Sequence, residues 1–309
     1  MDQTRDRSSL ETPLEGGVSS DIRIVHSSQG SYVLKCALGK LRVKADWFAD
    51  PARSSIEVRG LQQLARLLGQ AHVPKVLWAD EATHRFAMEL VDSRFRNWKQ
   101  ELLRDNVDIV TARAAGRLLG QLHTQSHSDP GLASQFDNRE PFIELRIRPF
   151  FERIAQRNPP LAPAIAGIVH DILATRNALI HGDFSPKNLL VDAGEVVILD
   201  CEVAHWGDAH FDVAFCIAHL LLKSFRRQAP AALILSAIHA FLCEYRLVGL
   251  VPLDHHFVQQ LGCLLLARLE GDSPIDYLDD LNVSEVKQLG TELILHPGSA
   301  ARERRLLIP

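Results

Sequence analysis

The sequence predicts an α+β protein in two parts, a small β-rich N-terminal lobe followed by a larger helical C-terminal lobe. Three observations carry that expectation. Four short strand-like runs, at 21–25, 31–37, 74–80 and 85–91, surround one helical pattern in the first 91 residues. Beyond Val91 apolar residues recur at helical spacing over most of the chain. One β interruption, at 178–200, breaks the helical half. The division expected is a loose N-terminus at 1–15, a first lobe at 16–91 and a second lobe at 92–309.

Each element has a local reason. The turn-rich segment 26–30 joins the first two strand runs as a hairpin. Between the two strand pairs, 54–70 places Ile56, Leu61, Leu64, Leu67 and Leu68 on one helical face. In the second lobe 108–126 reads as an amphipathic helix, with further helical patterns at 142–156, 161–176 and from 212 onward. Within the β interruption, Ala193-Gly194 is the turn.

Composition narrows the class. The 309 residues are 46 % hydrophobic and 23 % charged, ordinary for a globular chain and unlike a disordered or fibrous one. A net charge of −4 implies no strongly basic surface, so no nucleic-acid partner is expected. Five cysteines, an odd number without a Cys-x-x-Cys pair, suit reduced thiols better than disulfides or zinc. The first residues carry charges and no apolar core, and the apolar run 230–242 is too short for a bilayer. A cytoplasmic protein with no membrane partner is the expectation.

The strongest chemical signal lies at 181–202, His-Gly-Asp-Phe-Ser-Pro-Lys-Asn, then a hairpin, then Asp200-Cys201-Glu202. Singly, Asp and Asn in a Pro-containing loop are ordinary turn formers. Together, Asp183, Asn188 five residues on, and Asp200 at the end of an apolar strand suit phosphoryl transfer. One carboxylate accepts the proton of an attacking hydroxyl. A neutral amide and a second carboxylate hold Mg²⁺ against nucleotide phosphates. The Asp-x-x-x-x-Asn interval is that of the kinase catalytic loop.

On these residues, with Gly207-Asp208, Asp212 and the stretch 118–126 (Leu-Leu-Gly-Gln-Leu-His-Thr-Gln-Ser), the chain resembles the aminoglycoside phosphotransferase family. That family is a branch of the protein-kinase-like fold that also holds choline kinases and methylthioribose kinases. The resemblance covers about residues 14–280. It implies an ATP-dependent kinase acting on the hydroxyl of a sugar, aminoglycoside or amino alcohol. Carried over by position, Asp183 is the catalytic base, and Asn188 and Asp200 are magnesium ligands. Glu202 lies near the second metal, and Asp212 and His181 brace the catalytic loop. Glu202 stands where some relatives carry Asp or Gly. Methylthioribose kinases share this Glu but lack the Asn-bearing loop.

The first lobe offers the nucleotide side. Gly16, Gly17 and Ser19 lie in a glycine-containing loop before a strand, where backbone amides approach phosphates closely. Relatives often have Asn where Ser20 stands. Only 8 of the 34 basic residues are lysines, yet Lys35 sits mid-strand between Leu34 and Cys36. A lysine there needs an anion: ATP phosphates and Glu57 of the following helix. With Glu57 near a solvated cleft, losing Lys35 is expected to weaken ATP binding and leave the fold nearly intact. Glu89 and Leu90 resemble the linker whose backbone hydrogen-bonds adenine.

Competing readings are a protein kinase and a non-catalytic kinase-fold binding protein. Only eleven residues separate Asp200 from Asp212, and no Ala-Pro-Glu follows, which leaves little room for a peptide platform. A dead relative loses its lysine, base or metal residues, and all are present. His205, His210 and the pair His255-His256 read as loop and surface positions. The segment 270–280 holds five acids, read either as an acidic wall for a cationic acceptor or as a solvated face. Phe142, Arg146, Arg148 and Phe150 are candidates for lining the acceptor site.

Overall fold

A computed structural model of the protein describes residues 10–14, 17–28, 30–42, 46–127, 129–249 and 251–299. The first lobe is a five-stranded antiparallel sheet in the order β1-β2-β3-β5-β4. Its strands are β1 (Leu10–Pro13), β2 (Ser20–Ser27), β3 (Gly30–Ala37), β4 (Val76–Asp80) and β5 (Arg85–Glu89). Leu10–Pro13, expected to be loose, instead pairs with β2 as an exposed edge strand. Two-residue periodicity sends both Val33 and Lys35 to the inner face of β3, where they are buried. The first helix, α1 (Arg53–Leu68), buries Ile56, Leu61 and Leu64 and carries Glu57 toward Lys35.

A short strand, β6 (Arg96–Asn97), leads into α2 (Trp98–Leu103) and the long α3 (Ile109–Ser126). The Asp108 carboxylate accepts from the backbone amides of Val110 and Thr111 and so caps α3. After α4 (Pro130–Gln135) comes one continuous helical rod. It begins as α5 (Glu140–Phe142), widens into a π-helical stretch, Ile143–Glu152, that contains Pro149, and resumes as α6 (Arg153–Arg157). Then α7 (Ala162–Ala174) precedes the β interruption, made of β7 (Ala178–Ile180), β8 (Leu189–Asp192) and β9 (Glu195–Ile198). β8 and β9 join at Ala193-Gly194, both with positive φ (46° and 86°), the two-residue turn whose twist matches the strands. β8 also pairs with β6, and β7 with β10 (His205–Gly207).

The core of the second lobe is α8 (Ala209–Ser224), buried along its length from Ala209 to Lys223. Around it lie α9 (Ala231–Val248), α10 (His255–Glu270) and α11 (Val283–Leu295). By length and composition α9 alone, among the described residues, is long and apolar enough to cross a membrane. It is longer than the apolar run read from sequence, and it buries Ile234, Ile238, Phe241 and Tyr245 inside the protein.

The histidines differ from expectation. His205 and His210 are buried, and His256 is partly so; only His255 is exposed. Asp208, which caps α8, accepts from His210 Nδ1 at 2.8 Å and from His256 Nε2 at 2.7 Å. His210 Nε2 reaches the carbonyl of Pro252 at 2.8 Å, so both ring nitrogens donate. Burial opposes charging His210, but Asp208 outweighs it and raises its pKa. The cluster therefore fastens the start of α8 to α10 through a buried carboxylate.

Gly116 sets the distance between α3 and α9. A Cβ there would meet the Phe241 carbonyl oxygen at 2.2 Å, backbone that cannot rotate away. Gly116→Ala gains roughly 0.5–1 kcal/mol of helix propensity, but overpacking against backbone costs about 1–3 kcal/mol. A net loss is expected, lowering Tm by a few degrees in a thermal melt; an unchanged or higher Tm contradicts this reading of the contact.

Candidate active site

The catalytic-loop motif is held from beneath by one buried carboxylate. Asp212, in the first turn of α8, accepts from the backbone amides of His181 at 2.6 Å and Gly182 at 2.7 Å. It also accepts from His123 Nε2 at 3.3 Å, while Tyr245 donates its hydroxyl to His123 Nδ1 at 2.9 Å. Burial works against this charge, but His123 and the loop donors outweigh it and lower the Asp212 pKa. The histidine of the 118–126 motif thus links α9 to the loop. Gly182 has φ 75°, and a Cβ would strike Val203 at 2.8 Å, so glycine is required for the bend that presents Asp183. His181 Nε2 donates to the Leu199 carbonyl at 2.8 Å, fixing the loop to the strand that delivers Asp200.

Asp183 has two partners. Arg146 Nη2 lies 2.8 Å from its Oδ1, and Asn188 Nδ2 donates to its Oδ2 at 2.7 Å. Arg146 projects from the π-helical stretch, whose wider turn sets that side chain against the loop; it also donates to the Gly182 carbonyl at 2.9 Å. Asp200 follows β9 in a left-handed conformation, φ 68°, which aspartate tolerates better than most residues.

The first lobe meets this loop through Lys35. Its ammonium donates to Glu57 at 2.7 Å and to Asp200 at 2.5 Å. Burial alone would pull the ammonium's pKa down; Asp200, then Glu57, outweigh it and raise it, so Lys35 stays charged. Burial pushes Glu57 upward against Lys35, and Asp200, despite burial, is held low by Lys35. Glu202 lies beside this group and pairs with Arg53 at 3.0 Å. Arg53, at the start of α1, also donates to the carbonyls of Ser19 at 2.5 Å and Leu38 at 3.0 Å. Carboxylate oxygens of Glu57, Asp200 and Glu202 lie within 4.8 Å of one another. Three carboxylates face two cations, and hard oxygen donors in such a group suit Mg²⁺.

A cleft of about 560 Å³, partly open to solvent, runs past Ser19, Arg146, Asp183, Lys187, Asp200 and Glu202. Leu41 and Trp47 close one side, Trp47 donating its indole N–H to the Glu144 carbonyl at 3.2 Å. Of the expected site residues, Lys35, Glu57, Asp183, Asn188, Asp200 and Glu202 converge. Gly17 precedes the cleft residues Val18 and Ser19, and Gly16 lies outside the described residues. Glu89 and Leu90 stand at the end of β5 and do not line the cleft; the Glu89 amide already donates to Lys75 at 2.8 Å.

Other expectations need correcting. Arg146 and Phe150 line the cleft, but Phe142 is buried against His205 and Phe211, and Arg148 is exposed and paired with Glu140. Four of the five acids of 270–280 are paired, Asp272 with Arg153, Asp276 with Lys99, Asp280 with Arg226 and Glu270 with Lys287, and the fifth, Asp279, is exposed, so they form no unpaired acidic wall. Arg53 escaped sequence reading because its role depends on a contact 149 positions away in the chain.

A family model described as "Phosphotransferase enzyme family" (APH) matches residues 11–250. The chain belongs to this family. Curated relatives include the methylthioribose kinase of Pectobacterium carotovorum subsp. carotovorum, 29 % identical over 218 residues, 62 % of this chain and 54 % of that one. Another is the methylthioribose kinase of Escherichia coli, 23 % identical over 234 residues, 66 % and 55 % of the two chains. The chain thus spans about half the length of the curated relatives it matches. Among solved structures, a choline/ethanolamine kinase family protein of Mesorhizobium loti has TM-score 0.53 at 14 % identity, covering 98 % of this chain and 94 % of that one. Amicoumacin kinase hAmiN, in complex with AMP-PNP, Ca²⁺ and Ami, has TM-score 0.56 at 15 % identity, covering 92 % and 87 %. These likenesses give the fold: two-lobed and protein-kinase-like, as the sequence predicted.

Burial changes the expectation for Lys35. Glu57 is only 2 % exposed and Lys35 only 3 %, so the pair is not at a solvated edge. Lys35→Met leaves Glu57 and Asp200 facing each other, and breaking a buried pair costs about 3–5 kcal/mol. Urea unfolding should show that loss, and adding Glu57→Gln should recover part of it. Wild-type stability for Lys35→Met would contradict the pairing.

Proposed function

We propose that the protein is an ATP-dependent kinase that transfers the γ-phosphoryl group to a hydroxyl of a small molecule. The observation that carries this reading is that Asp183 and Asp200 line one cleft, with Asn188 bonded to the first and Lys35 to the second. The curated relatives named methylthioribose kinase and the neighbours holding AMP-PNP support it.

In this reading Asp183 accepts the acceptor's hydroxyl proton as its oxygen bonds to the γ-phosphorus and the bond to the bridging oxygen breaks, releasing ADP. Arg146 and Asn188 fix the Asp183 carboxylate so that little reorganisation accompanies proton transfer. Because Asn188 turns its amide nitrogen to Asp183, its oxygen is the group left for a cation. Asp200 and Asn188 would hold Mg²⁺, with Glu202 at a second position beside Arg53. The metal, when bound, supplies charge neutralisation at the phosphates. Lys35 exchanges Asp200 for a phosphate oxygen while keeping Glu57. The backbone at Gly17 and Ser19 would cover the phosphates.

A protein substrate is disfavoured by burial. Every residue from Cys201 to Phe211 is buried, so the segment that would dock a peptide is inside the protein. The five free cysteines, three of them buried, suit a reducing compartment such as the cytoplasm.

The test is ADP release with Mg·ATP and the best acceptor found among amino sugars, thio-sugars, amino alcohols and polyols. Asp183→Asn should lose at least ~10² in kcat while Mg·ATP still binds, and Asp200→Ala should lose Mg²⁺-dependent nucleotide binding in calorimetry. An Asp183→Asn enzyme retaining over about half its turnover would defeat the assignment of the base.

A further inference from the structure

The cleft is electrically lopsided. Its phosphate end is rich in carboxylates, but its far end carries a cation, Arg268, that lacks an acidic partner among the described residues. Arg268, from α10, lines the cleft beside Arg146, Phe150, Phe215 and His219. Its guanidinium lies 5.5 Å from the centre of the Phe150 ring, and its one side-chain hydrogen bond is to Ser273 Oγ at 3.3 Å. Arg268 Nε is buried with no acceptor. Among the described residues no carboxylate pairs with it, whereas Arg146 is committed to Asp183.

Behind this wall lies Lys223 on α8, fully buried, donating only to the His219 carbonyl at 3.1 Å and the Tyr277 hydroxyl at 3.4 Å. The nearby acids compensate only in part: Asp183 and Asp276 act on Arg268, and Asp276 on Lys223, but Asp183 is paired with Arg146 and Asp276 with Lys99. Burial pushes Lys223 down to about 7 and Arg268 down to about 10, which registers the same deficit of negative charge. Buried cations without anions are unfavourable, and a bound anion relieves them. Nucleotide phosphates are poorly placed for that role, since Lys35 and Asp200 mark the opposite end and Lys187 acts on Asp200.

We propose that the acceptor is an anionic hydroxy compound, a small alcohol or sugar carrying a carboxylate or phosphate, whose oxyanion is held by Arg268 near Lys223. The guanidinium fork suits either oxyanion, and Asp183 is left to face the hydroxyl. Cationic acceptors such as choline or aminoglycosides meet like charge at this wall and are disfavoured. This inference rests on the kinase reading and specifies its substrate class.

The experiment offers the Mg·ATP-loaded protein three sets of compounds at equal concentration. The anionic set is glycerate, glycerol 3-phosphate and ribose 5-phosphate; the neutral set is glycerol, ribose and methylthioribose; the cationic set is choline and hygromycin B. Phosphorylated product is read by mass spectrometry and ADP release by a coupled assay. An anionic member should exceed its neutral parent in kcat/KM by at least ~tenfold, the value of one charge-assisted contact. Glycerate against glycerol 3-phosphate separates carboxylate from phosphate. Arg268→Gln should raise KM for that acceptor by about tenfold with KM for ATP little changed. Best turnover of a neutral or cationic compound, insensitive to Arg268→Gln, overturns the proposal and leaves the kinase reading standing. If no compound turns over, the ADP-loaded protein is titrated with glycerate and glycerol 3-phosphate by calorimetry; absence of binding overturns it too. Failure to bind Mg·ATP at all defeats the kinase reading itself.

Discussion

One buried ammonium ties the two lobes together. Lys35 reaches Glu57, 22 positions away, and Asp200, 165 positions away, joining the sheet, α1 and the strand that ends the catalytic hairpin. Burying such a charge is unfavourable unless its partners are well placed, and here both bonds are short. Arg53 repeats the arrangement one turn earlier on α1, binding Glu202 and the carbonyls of Ser19 and Leu38. Charge pairing thus works beside apolar contact across this seam, where Leu41, Ala49 and Trp47 pack with Leu145 and Val203. The seam carries one carboxylate more than its two cations, which suits the divalent cation we propose there.

The rest of the site follows from that placement. Asp212 fixes the loop backbone, the π-helical stretch aims Arg146, and together they hold Asp183 midway along the cleft. Electrostatic character changes sign across Asp183: carboxylates toward the sheet, and Arg268 and Lys223 toward α8 and α10. A phosphoryl donor with its metal suits the first end, and an oxyanion suits the second. In the proposed reaction Asp183, as proton acceptor, would stand between the two reactants.

Much of this was legible before any coordinates. Two-residue periodicity and helical spacing located the sheet, α1 and α3, because each buries one face and local pattern records that. The spacing of Asp183, Asn188 and Asp200 was legible because loop and hairpin are local, and Lys35 stood out as a charge among apolar neighbours. Long-range pairing was not legible. Nothing near Arg53 indicates Glu202, and nothing in 270–280 indicates that four of its five acids are matched by Arg153, Lys99, Arg226 and Lys287. Histidines that looked like loop residues are buried because Asp208 gathers them from two helices. The edge strand Leu10–Pro13 is exposed along its length, so its pairing leaves no buried face for the sequence pattern to record.

The central claim is that Lys35 and Asp200 hold each other in place of nucleotide phosphate and metal. A crystal structure of the protein with Mg·AMP-PNP tests it most directly. Lys35 should keep Glu57 but leave Asp200 for a phosphate oxygen, with Asp200 and Asn188 on the metal and Asp183 facing the γ-phosphate. Nucleotide bound elsewhere, with the Lys35–Asp200 bond intact, would contradict the account.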